Sequence, residues 1–348
     1  MPKSPLPRAA GAPFAAALLA VALVAAPGCA RKDQPPADRG PAALKVGLVF
    51  DIGGRGDKSF NDAAYAGLER AKRELGVDFT FVETAETADR EAGLRQLAAT
   101  DASLIFGVGF LFTDDIRELA REFPDKKFAC VDYTVNEGDS LPPNLVALKF
   151  REEQGSFLVG ALAALTSRSG KVGFVGGMQI PLIRKFEAGY AAGAKAVRPG
   201  VQVLVKYAGT TGEAFRDPTK GTELALAEYA QGADVVFHAS GATGRGVFQA
   251  AIQQDRLAIG VDSDQYDEAP GHVLTSMVKR VDVAVFDVIR DLKEGRWQGG
   301  VRTFGLAEDG VAWVHDARNQ ALIPPHVKAA VDSLAAEIQA GRIAVPAR

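Results

Sequence analysis

The chain has 348 residues, 47% of them hydrophobic and 24% charged, which is long enough for two globular domains of ordinary composition. Its formal net charge is −3 and it contains no block of like charge. These values give no support for a nucleic-acid partner or for a polyionic tail.

The first 28 residues have the pattern of a secretory signal peptide. Two basic residues, at positions 3 and 8, precede a small apolar run from Gly11 to Ala26, which is short for a membrane span. Cys29 follows Gly28 directly, as in the lipobox of bacterial lipoproteins, although Pro27 is unusual there. This resemblance implies cleavage before Cys29 and lipidation of that residue. A plain signal peptide with cleavage nearby is the alternative.

Residues 29–43 are predicted to be a lipidated cysteine followed by a flexible tether. The segment is rich in proline and polar residues and has no apolar periodicity. A flexible chain of this length spans about 20 Å, so the folded part would stay close to a membrane without entering it. The expected location is the periplasmic or cell-surface side of a bacterial membrane. The other cysteine, Cys130, lies in an apolar run and is predicted to be a core residue.

From Lys45 onward, short apolar runs alternate with helical patterns. The predicted strands are Lys45–Phe50, Asp78–Val82, Ser103–Val108, Lys127–Val131, Leu145–Phe150, Lys171–Val175, Val201–Tyr207, Asp234–His238, Leu257–Val261 and Val273–Val278. The order strand-helix-strand therefore repeats in two similar sets, which predicts an α/β protein with two doubly wound parallel-sheet lobes. A hairpin is predicted between Thr303–Leu306 and Val311–Val314, and a last helix at Val327–Gln339.

A glycine-rich turn, residues 51–62, joins the first strand to the first helix. It is not a phosphate-binding loop, because Asp57 stands before Lys58 where that motif requires glycine. The second glycine-rich segment, residues 240–246, lacks the dinucleotide spacing, and Ser240 lacks the nucleophile elbow. The four histidines are not spaced for a metal. The sequence therefore predicts no catalytic residue, no metal and no cofactor.

Polar and aromatic residues recur just after the predicted strands, where ligands bind in such sheets. The candidate ligand-contacting residues are Asp51, Phe60, Asn61, Asp132, Phe186, Phe215, Gly241, Asp262 and Lys279. Carboxylates from two lobes can accept hydrogen bonds from sugar hydroxyls, and two aromatic rings can enclose a flat ring. Together they favour a polar small molecule with a planar part.

Each candidate also has a structural alternative. The aspartates could close turns, and Lys279 could be a solvated charge. The aromatic residues could serve packing alone. Phe60 would then be the hydrophobic staple of its helix, Phe215 a loop anchor and Phe186 a contact between its helix and the sheet.

Short motifs spread over residues 45–292 carry a family resemblance. They are Asp57-Lys58-Ser59-Phe60-Asn61 with Gly67, Gly176-Gly177-Met178 with Pro181 and Phe186–Gly189, Gly232–Val236, Gly260–Gln265, and Leu274-Thr275-Ser276 with Lys279. Together they resemble the basic membrane protein family of bacterial lipoproteins. The branch in question is the PnrA-like purine nucleoside receptors, which are substrate-binding components of ABC transporters.

The resemblance implies a type I periplasmic-binding fold, in which two lobes joined by three crossovers close over a ligand. The crossovers are expected near Leu148–Glu152, Asp262–Gln265 and Gly295–Thr303. The N-terminal lobe would then comprise residues 44–148 and 266–298, and the C-terminal lobe residues 149–265 and 299–348.

The resemblance also implies roles for the candidates. Phe60 and Phe215 would stack on the base, with Phe186 competing for the second place. Asp132 would contact the base edge and Asp262 and Lys279 the ribose, while Asp51, Asn61 and Gly241 line the cleft.

The implied function is that of a monomeric, non-enzymatic receptor that passes a nucleoside to ABC permease and ATPase subunits. Four alternatives stay open. The protein could be a receptor for another small polar ligand, such as a sugar, an amino acid or a signal molecule. It could be a secreted nucleoside-processing enzyme, or a sensor built on the same fold. As a nucleoside receptor, it could bind a pyrimidine instead of a purine nucleoside.

Overall fold

The fold comes from a computed structural model, which describes residues 43–84, 89–136 and 138–348. The predicted signal peptide, Cys29 and all of the tether except its last residue lie outside these ranges. Within them, no helix combines the length and the apolar character needed to cross a membrane.

Two six-stranded sheets organise the described part of the chain. The strands are β1 Lys45–Val49, β2 Asp78–Val82, β3 Leu104–Val108, β4 Lys127–Val131, β5 Leu145–Phe150, β6 Lys171–Met178, β7 Gln202–Gly209, β8 Val235–Ala239, β9 Leu257–Asp262, β10 Val273–Lys279, β11 Gly300–Phe304 and β12 Val311–Trp313. The first sheet has the order β11-β5-β4-β3-β1-β2 and the second β12-β10-β9-β8-β6-β7. Strand β12 is antiparallel to β10, and the other pairings described in the two sheets are parallel.

Helices cover the sheets. They are α1 Phe60–Leu75, α2 Asp89–Ala98, α3 Thr113–Glu122, α4 Glu152–Thr166, α5 Pro181–Val197, α6 Pro218–Ala230, α7 Gly244–Gln254, α8 Val281–Lys293 and α9 Pro325–Gln339. All five residues of the apolar strand β3 are buried, as expected for a parallel sheet covered on both faces. The predicted α/β fold with two parallel-sheet lobes is therefore confirmed.

Helix α1 shows how the sequence sets a local element. Its buried residues include Ala64, Leu68 and Ala71, which share one face at helical spacing. It ends at Gly76, whose φ of 64° is the left-handed conformation that commonly caps helices. The glycine-rich turn thus leads directly into a helix held against the core.

The predicted lobe boundaries are partly wrong. Strand β10 pairs with β9 in the second sheet, so residues 273–279 do not belong to the N-terminal lobe. Strand β11 pairs with β5 in the first sheet, so residues 300–304 do not belong to the C-terminal lobe. The predicted hairpin is wrong for the same reason, because β11 and β12 lie in different sheets.

The corrected crossings follow from strand pairing. The chain leaves the first sheet after Phe150 and enters helix α4, which packs against α5 and α9. It leaves the second sheet after Lys279 and enters α8, which packs against α1. It passes back from β11 to β12 between Phe304 and Val311. The second and third crossings therefore lie later in the chain than predicted.

Candidate ligand-binding cleft

A cavity lies between the two lobes. Its lining combines apolar and aromatic side chains with a few polar groups, as is typical of small-molecule sites. All nine candidates line it: Asp51, Phe60, Asn61, Asp132, Phe186, Phe215, Gly241, Asp262 and Lys279. Residues from the ends of β1 and β4 in the first lobe thus meet residues from the ends of β9 and β10 in the second.

The glycine-rich turn forms the first wall. The backbone N–H of Asp51 donates to Asn61 Oδ1 at 3.1 Å, and Asp51 Oδ1 accepts a bond of 2.8 Å from the N–H of Ile52. The Asp57 carboxylate accepts backbone N–H groups at the start of α1, including that of Asn61 at 2.8 Å. The Asp51 carboxylate therefore bonds to the next residue along the chain, not two residues on as an Asx turn requires, and Asp51 also lines the cavity.

Gly109 makes room for Asp51. Its φ is 115°, and a Cβ at this position would lie 2.1 Å from Asp51 Oδ2. A larger residue would displace the carboxylate, so this strand-end glycine fixes where the acid points.

An ion pair in the cavity lining joins the two lobes. Lys279 Nζ, at the end of β10, donates to both oxygens of Asp132, which follows β4, at 2.6 and 2.7 Å. It also lies 3.1 Å from Glu152 Oε1, and Lys185 contacts the other oxygen of Glu152 at 2.9 Å. Lys279 is 2% exposed, so its interpretation as a solvated charge is wrong.

The charge states follow from burial and neighbours. Burial opposes charge on Lys279, but Asp132, Glu152 and Asp262 outweigh it and raise its pKa. Burial alone would raise the pKa of Glu152, yet Lys279 and Lys185 lower it below its ordinary value. Burial raises the pKa of Asp132, with Lys279 acting against that rise. Since Lys279 donates to both oxygens of Asp132, the two residues form an ion pair.

Aromatic rings stand around the ammonium group and across the cavity. Lys279 Nζ lies 5.1 Å from the Phe60 ring centre, within the range of cation–π attraction, and 5.8 Å from that of Phe186. Phe60 and Phe215 are half-buried on opposite lobes. Phe186 is only 4% exposed and belongs to the hydrophobic core, which supports its packing role, although it also lines the cavity.

The cavity lining contains an aromatic contact whose partner Phe110 is not among the candidates predicted from the sequence. Phe110, just after β3, meets Phe215 edge to face, with ring centres 6.3 Å apart. Its position directly after a strand is the signal that could have identified it. The other cavity-lining residues missed are Ile52, Asp57, Gly109, Leu182, Ile183, Ala239, Ser240 and Val261.

Asp262 ties the second lobe to the turn of the first. Its Oδ2 accepts a hydrogen bond of 2.6 Å from Ser59 Oγ. Burial raises its pKa to about 7, with Lys279 and Ser59 acting against the rise. Burial likewise raises the pKa of Asp51 to about 7. Around neutral pH, these two acids are therefore close to the point at which their protonation changes.

Asp132 and Asp262 occupy matching positions in the two lobes. Each follows the fourth strand of its predicted set, and their φ angles are 61° and 64°. Aspartate tolerates this left-handed conformation better than most residues, so the turn-forming alternative also holds for both. Such backbone outliers cluster at ligand sites, where the surrounding structure holds them.

The arrangement can bind a planar ring between aromatic faces and hydroxyl or N–H donors at its carboxylates. Among residues 43–84, 89–136 and 138–348, no group of three or more His, Cys, Asp or Glu is arranged to hold a metal.

Comparison with known proteins agrees with this architecture. The family model described as "ABC transporter substrate-binding protein PnrA-like" matches residues 44–347. A Pyrococcus abyssi protein named as an uncharacterized lipoprotein is 40% identical over 284 residues, 78% of this chain and 69% of its own. The "ABC transporter nucleoside-binding protein BmpA" of Lactococcus lactis subsp. cremoris is 32% identical over 357 aligned positions, 96% of this chain and 97% of its own.

A solved structure gives the same result. The crystal structure of an ABC transporter solute-binding protein from Aeropyrum pernix K1 superposes with a TM-score of 0.79 and 30% identity, over 87% of this chain and 94% of that one. The two lobes thus have the type I periplasmic-binding fold of solute-binding proteins. With nearly all of the described chain matched, this protein belongs to the PnrA-like family of ABC transporter substrate-binding proteins.

Proposed function

We propose that this protein captures a nucleoside, a purine nucleoside by its family resemblance, in the interlobe cavity. It delivers the ligand to the permease and ATPase subunits of an ABC importer. The observation that carries the proposal is the placement of Phe60 and Phe215 on opposite walls of one cavity that also contains Asp51, Asp262 and the Lys279–Asp132 pair.

The two half-buried rings are suited to a flat base. Aromatic stacking adds about 0.5–1.5 kcal/mol beyond the burial of apolar area. Because the rings come from different lobes, a base held between them would favour lobe closure. The contact of Phe215 with Phe110 supports this assignment over one to Phe186, whose ring is packed in the core.

The polar groups suit a ribose and a base edge. Asp262 Oδ2 accepts from Ser59, and within the described part of the chain its other oxygen has no hydrogen-bond donor, so that oxygen can accept from a ligand hydroxyl. Lys279 would approach the ribose from the same lobe, and Asp132 would contact the base edge. A site built around buried polar groups discriminates against analogues that leave those groups unpaired.

The name of the Lactococcus lactis relative supports a nucleoside over a sugar or another small ligand. The lipoprotein name of the Pyrococcus abyssi relative supports attachment of the chain to a membrane through Cys29. The match to a family described as ABC transporter substrate-binding proteins supports binding without turnover.

Native mass spectrometry of the purified protein tests the proposal. We expect an adduct with the mass of a nucleoside, released on unfolding. Incubation with inosine is the companion assay, and we expect the nucleoside to stay intact. A co-purified sugar or amino acid would contradict the proposal, and release of free base would favour a nucleoside-processing enzyme.

A further inference from the structure

A chain of hydrogen bonds runs from the cavity wall to the opposite lobe through buried side chains. Its members are Ser240, which lines the cavity, His238, Gln265 and the carbonyl of Lys58. His238 is 0% exposed, and Ser240 and Gln265 are buried. The direction of each bond in this chain can be worked out from groups whose donor or acceptor character is fixed.

The amide of Gln265 has one possible orientation. Its Oε1 accepts from the backbone N–H of Val261 at 2.8 Å, and its Nε2 donates to the carbonyl of Lys58 at 3.0 Å. An exchange of the two atoms would place N–H against N–H and carbonyl against carbonyl. Gly260 leaves space for this amide, since a Cβ there would lie 2.9 Å from Gln265 Oε1.

The orientation of Gln265 fixes the tautomer of His238. Its Nε2 lies 3.0 Å from Gln265 Oε1, which is an acceptor, so Nε2 carries the proton. Burial lowers the pKa of His238 to about 4, so the ring is neutral at physiological pH and Nδ1 is unprotonated. The ring packs closely over Gly244, where a Cβ would lie only 1.9 Å from its Cε1.

The tautomer of His238 in turn fixes the hydroxyl of Ser240. Ser240 Oγ lies 3.4 Å from Nδ1, and because Nδ1 is an acceptor, the hydroxyl donates its single proton to it. Among the described residues, this is the one hydrogen bond that Ser240 Oγ makes. The lone pairs of Ser240 Oγ can therefore accept a hydrogen bond from a group in the cavity.

We propose that Ser240 is a specificity-determining acceptor, held in that role by His238 and Gln265, which recognises an O–H or N–H donor on the ligand. His238 and Gln265 act as positioning residues. Gln265 Oε1 is held by Val261 of its own lobe, and the bond from its Nε2 to Lys58 joins the same chain to the first lobe. The identity of the donor as a nucleoside group rests on the proposed function, whereas the tautomer of His238 does not.

Nitrogen NMR of the imidazole tests the chain without any ligand. A variant with His272→Gln, His315→Gln and His326→Gln, labelled with ¹⁵N-histidine, reports on His238 alone. We expect a protonated Nε2 and an unprotonated Nδ1. A protonated Nδ1, or a doubly protonated ring at neutral pH, would overturn the proposal.

Calorimetry with substituted nucleosides tests the acceptor. The probes are inosine, its 2′-, 3′- and 5′-deoxy and deoxyfluoro analogues, and 1-methylinosine. Fluorine replaces a hydroxyl at similar size but cannot donate. We expect one position at which loss of the donor hydrogen weakens binding about five- to tenfold, with fluorine no better than hydrogen.

The variant Ser240→Ala identifies that position. In Ser240→Ala, removing the donor hydrogen from the ligand at that position should change the affinity by less than about twofold. The control is Ser263→Ala, because the Ser263 hydroxyl bonds to the carbonyl of Ser59 and does not line the cavity; this variant should lose affinity for the modified ligand as fully as the unmodified protein does. Equal losses in the unmodified protein and in Ser240→Ala at every position would overturn the proposal. If no nucleoside binds at all, both the proposed function and the role of Ser240 in recognising a nucleoside are wrong. The NMR result still decides the tautomer of His238.

Discussion

Lys279 and Asp132 meet across the two lobes, with Lys279 Nζ 2.6 and 2.7 Å from the two oxygens of Asp132. Glu152 shares the same ammonium group at 3.1 Å. A buried cation held between carboxylates from both lobes fixes their mutual position beside the cavity. Lys279 therefore contacts both Glu152, at the first crossing between the lobes, and Asp132 in the cavity lining.

Replacement of Lys279 by methionine should destabilise the protein strongly. It leaves the buried carboxylates of Asp132 and Glu152 without their shared cation, and the loss of one partner from a buried pair costs roughly 3–5 kcal/mol. Urea denaturation measures the change. Lys220→Met is the matched control, because Lys220 and its partner Glu223 are 42% and 61% exposed, and such pairs contribute about 0–1 kcal/mol. Equal stability of the two variants would show that the buried pair does not hold the lobes.

Alanine substitutions should separate the roles of Phe215 and Phe186. Phe215→Ala removes a half-buried ring from the cavity lining and should weaken nucleoside binding about tenfold or more with a modest loss of stability. Phe186→Ala removes a core ring and should cost roughly 3–5 kcal/mol of stability. Calorimetry and urea denaturation on both variants measure the two effects. A Phe186→Ala protein of normal stability that binds more weakly than Phe215→Ala would reverse the assignment.

Asp262→Asn should stabilise the free protein and weaken binding. The folded-state pKa of Asp262 is raised to about 7 by burial, so its stabilising contribution is complete below about pH 4 and is lost as the pH rises through 7. Asparagine tolerates the left-handed backbone and carries no charge. At pH 7.5 we expect a gain of roughly 2–4 kcal/mol in unfolding free energy, absent at pH 4.

The same variant should bind a nucleoside about 10- to 100-fold more weakly, because the carboxylate accepts from the ligand more strongly than an amide. Denaturation at a series of pH values, with calorimetry at pH 7.5, measures both effects. If the stability of the variant follows that of the unmodified protein at every pH, the carboxylate of Asp262 does not have the raised pKa described above.

The sequence predicted which residues line the cavity better than it predicted the lobe boundaries, for a physical reason. In parallel sheets, ligands collect at the carboxyl ends of strands, so residues such as Asp51, Asp132 and Lys279 could be selected once the strands were located. The same rule would have selected Phe110 and Ser240, which stand in equivalent positions.

The assignment of strands to the two sheets could not be predicted from the sequence in the same way. Strands β10 and β11 join the sheet opposite to the one predicted, and neither their composition nor their spacing distinguishes the two sheets. Sequence order gave the wrong assignment because the crossovers exchange strands between lobes. The hydrogen bond between Gln265 and His238 was equally hidden, since it joins residues 27 positions apart in the sequence.

Cys29→Ala should release the protein from the membrane. If the chain is cleaved before Cys29 and acylated there, metabolic labelling with a fatty acid marks the normal protein and not the variant, and the variant appears in the soluble fraction. Cys130→Ala is the control, because this residue is buried in the core and should not affect labelling. Labelling of the Cys29→Ala protein would contradict the predicted anchor.

The most direct test of nucleoside capture is calorimetric titration of protein freed of co-purified ligand by unfolding and refolding. Inosine, adenosine, uridine and ribose are titrated separately into the normal protein and into Phe60→Ala. We predict saturable binding of at least one purine nucleoside at one site with micromolar affinity or tighter, weakened at least about tenfold by Phe60→Ala, and no comparable binding of ribose. Tight binding of ribose or another sugar, with no heat from any nucleoside, would contradict the account.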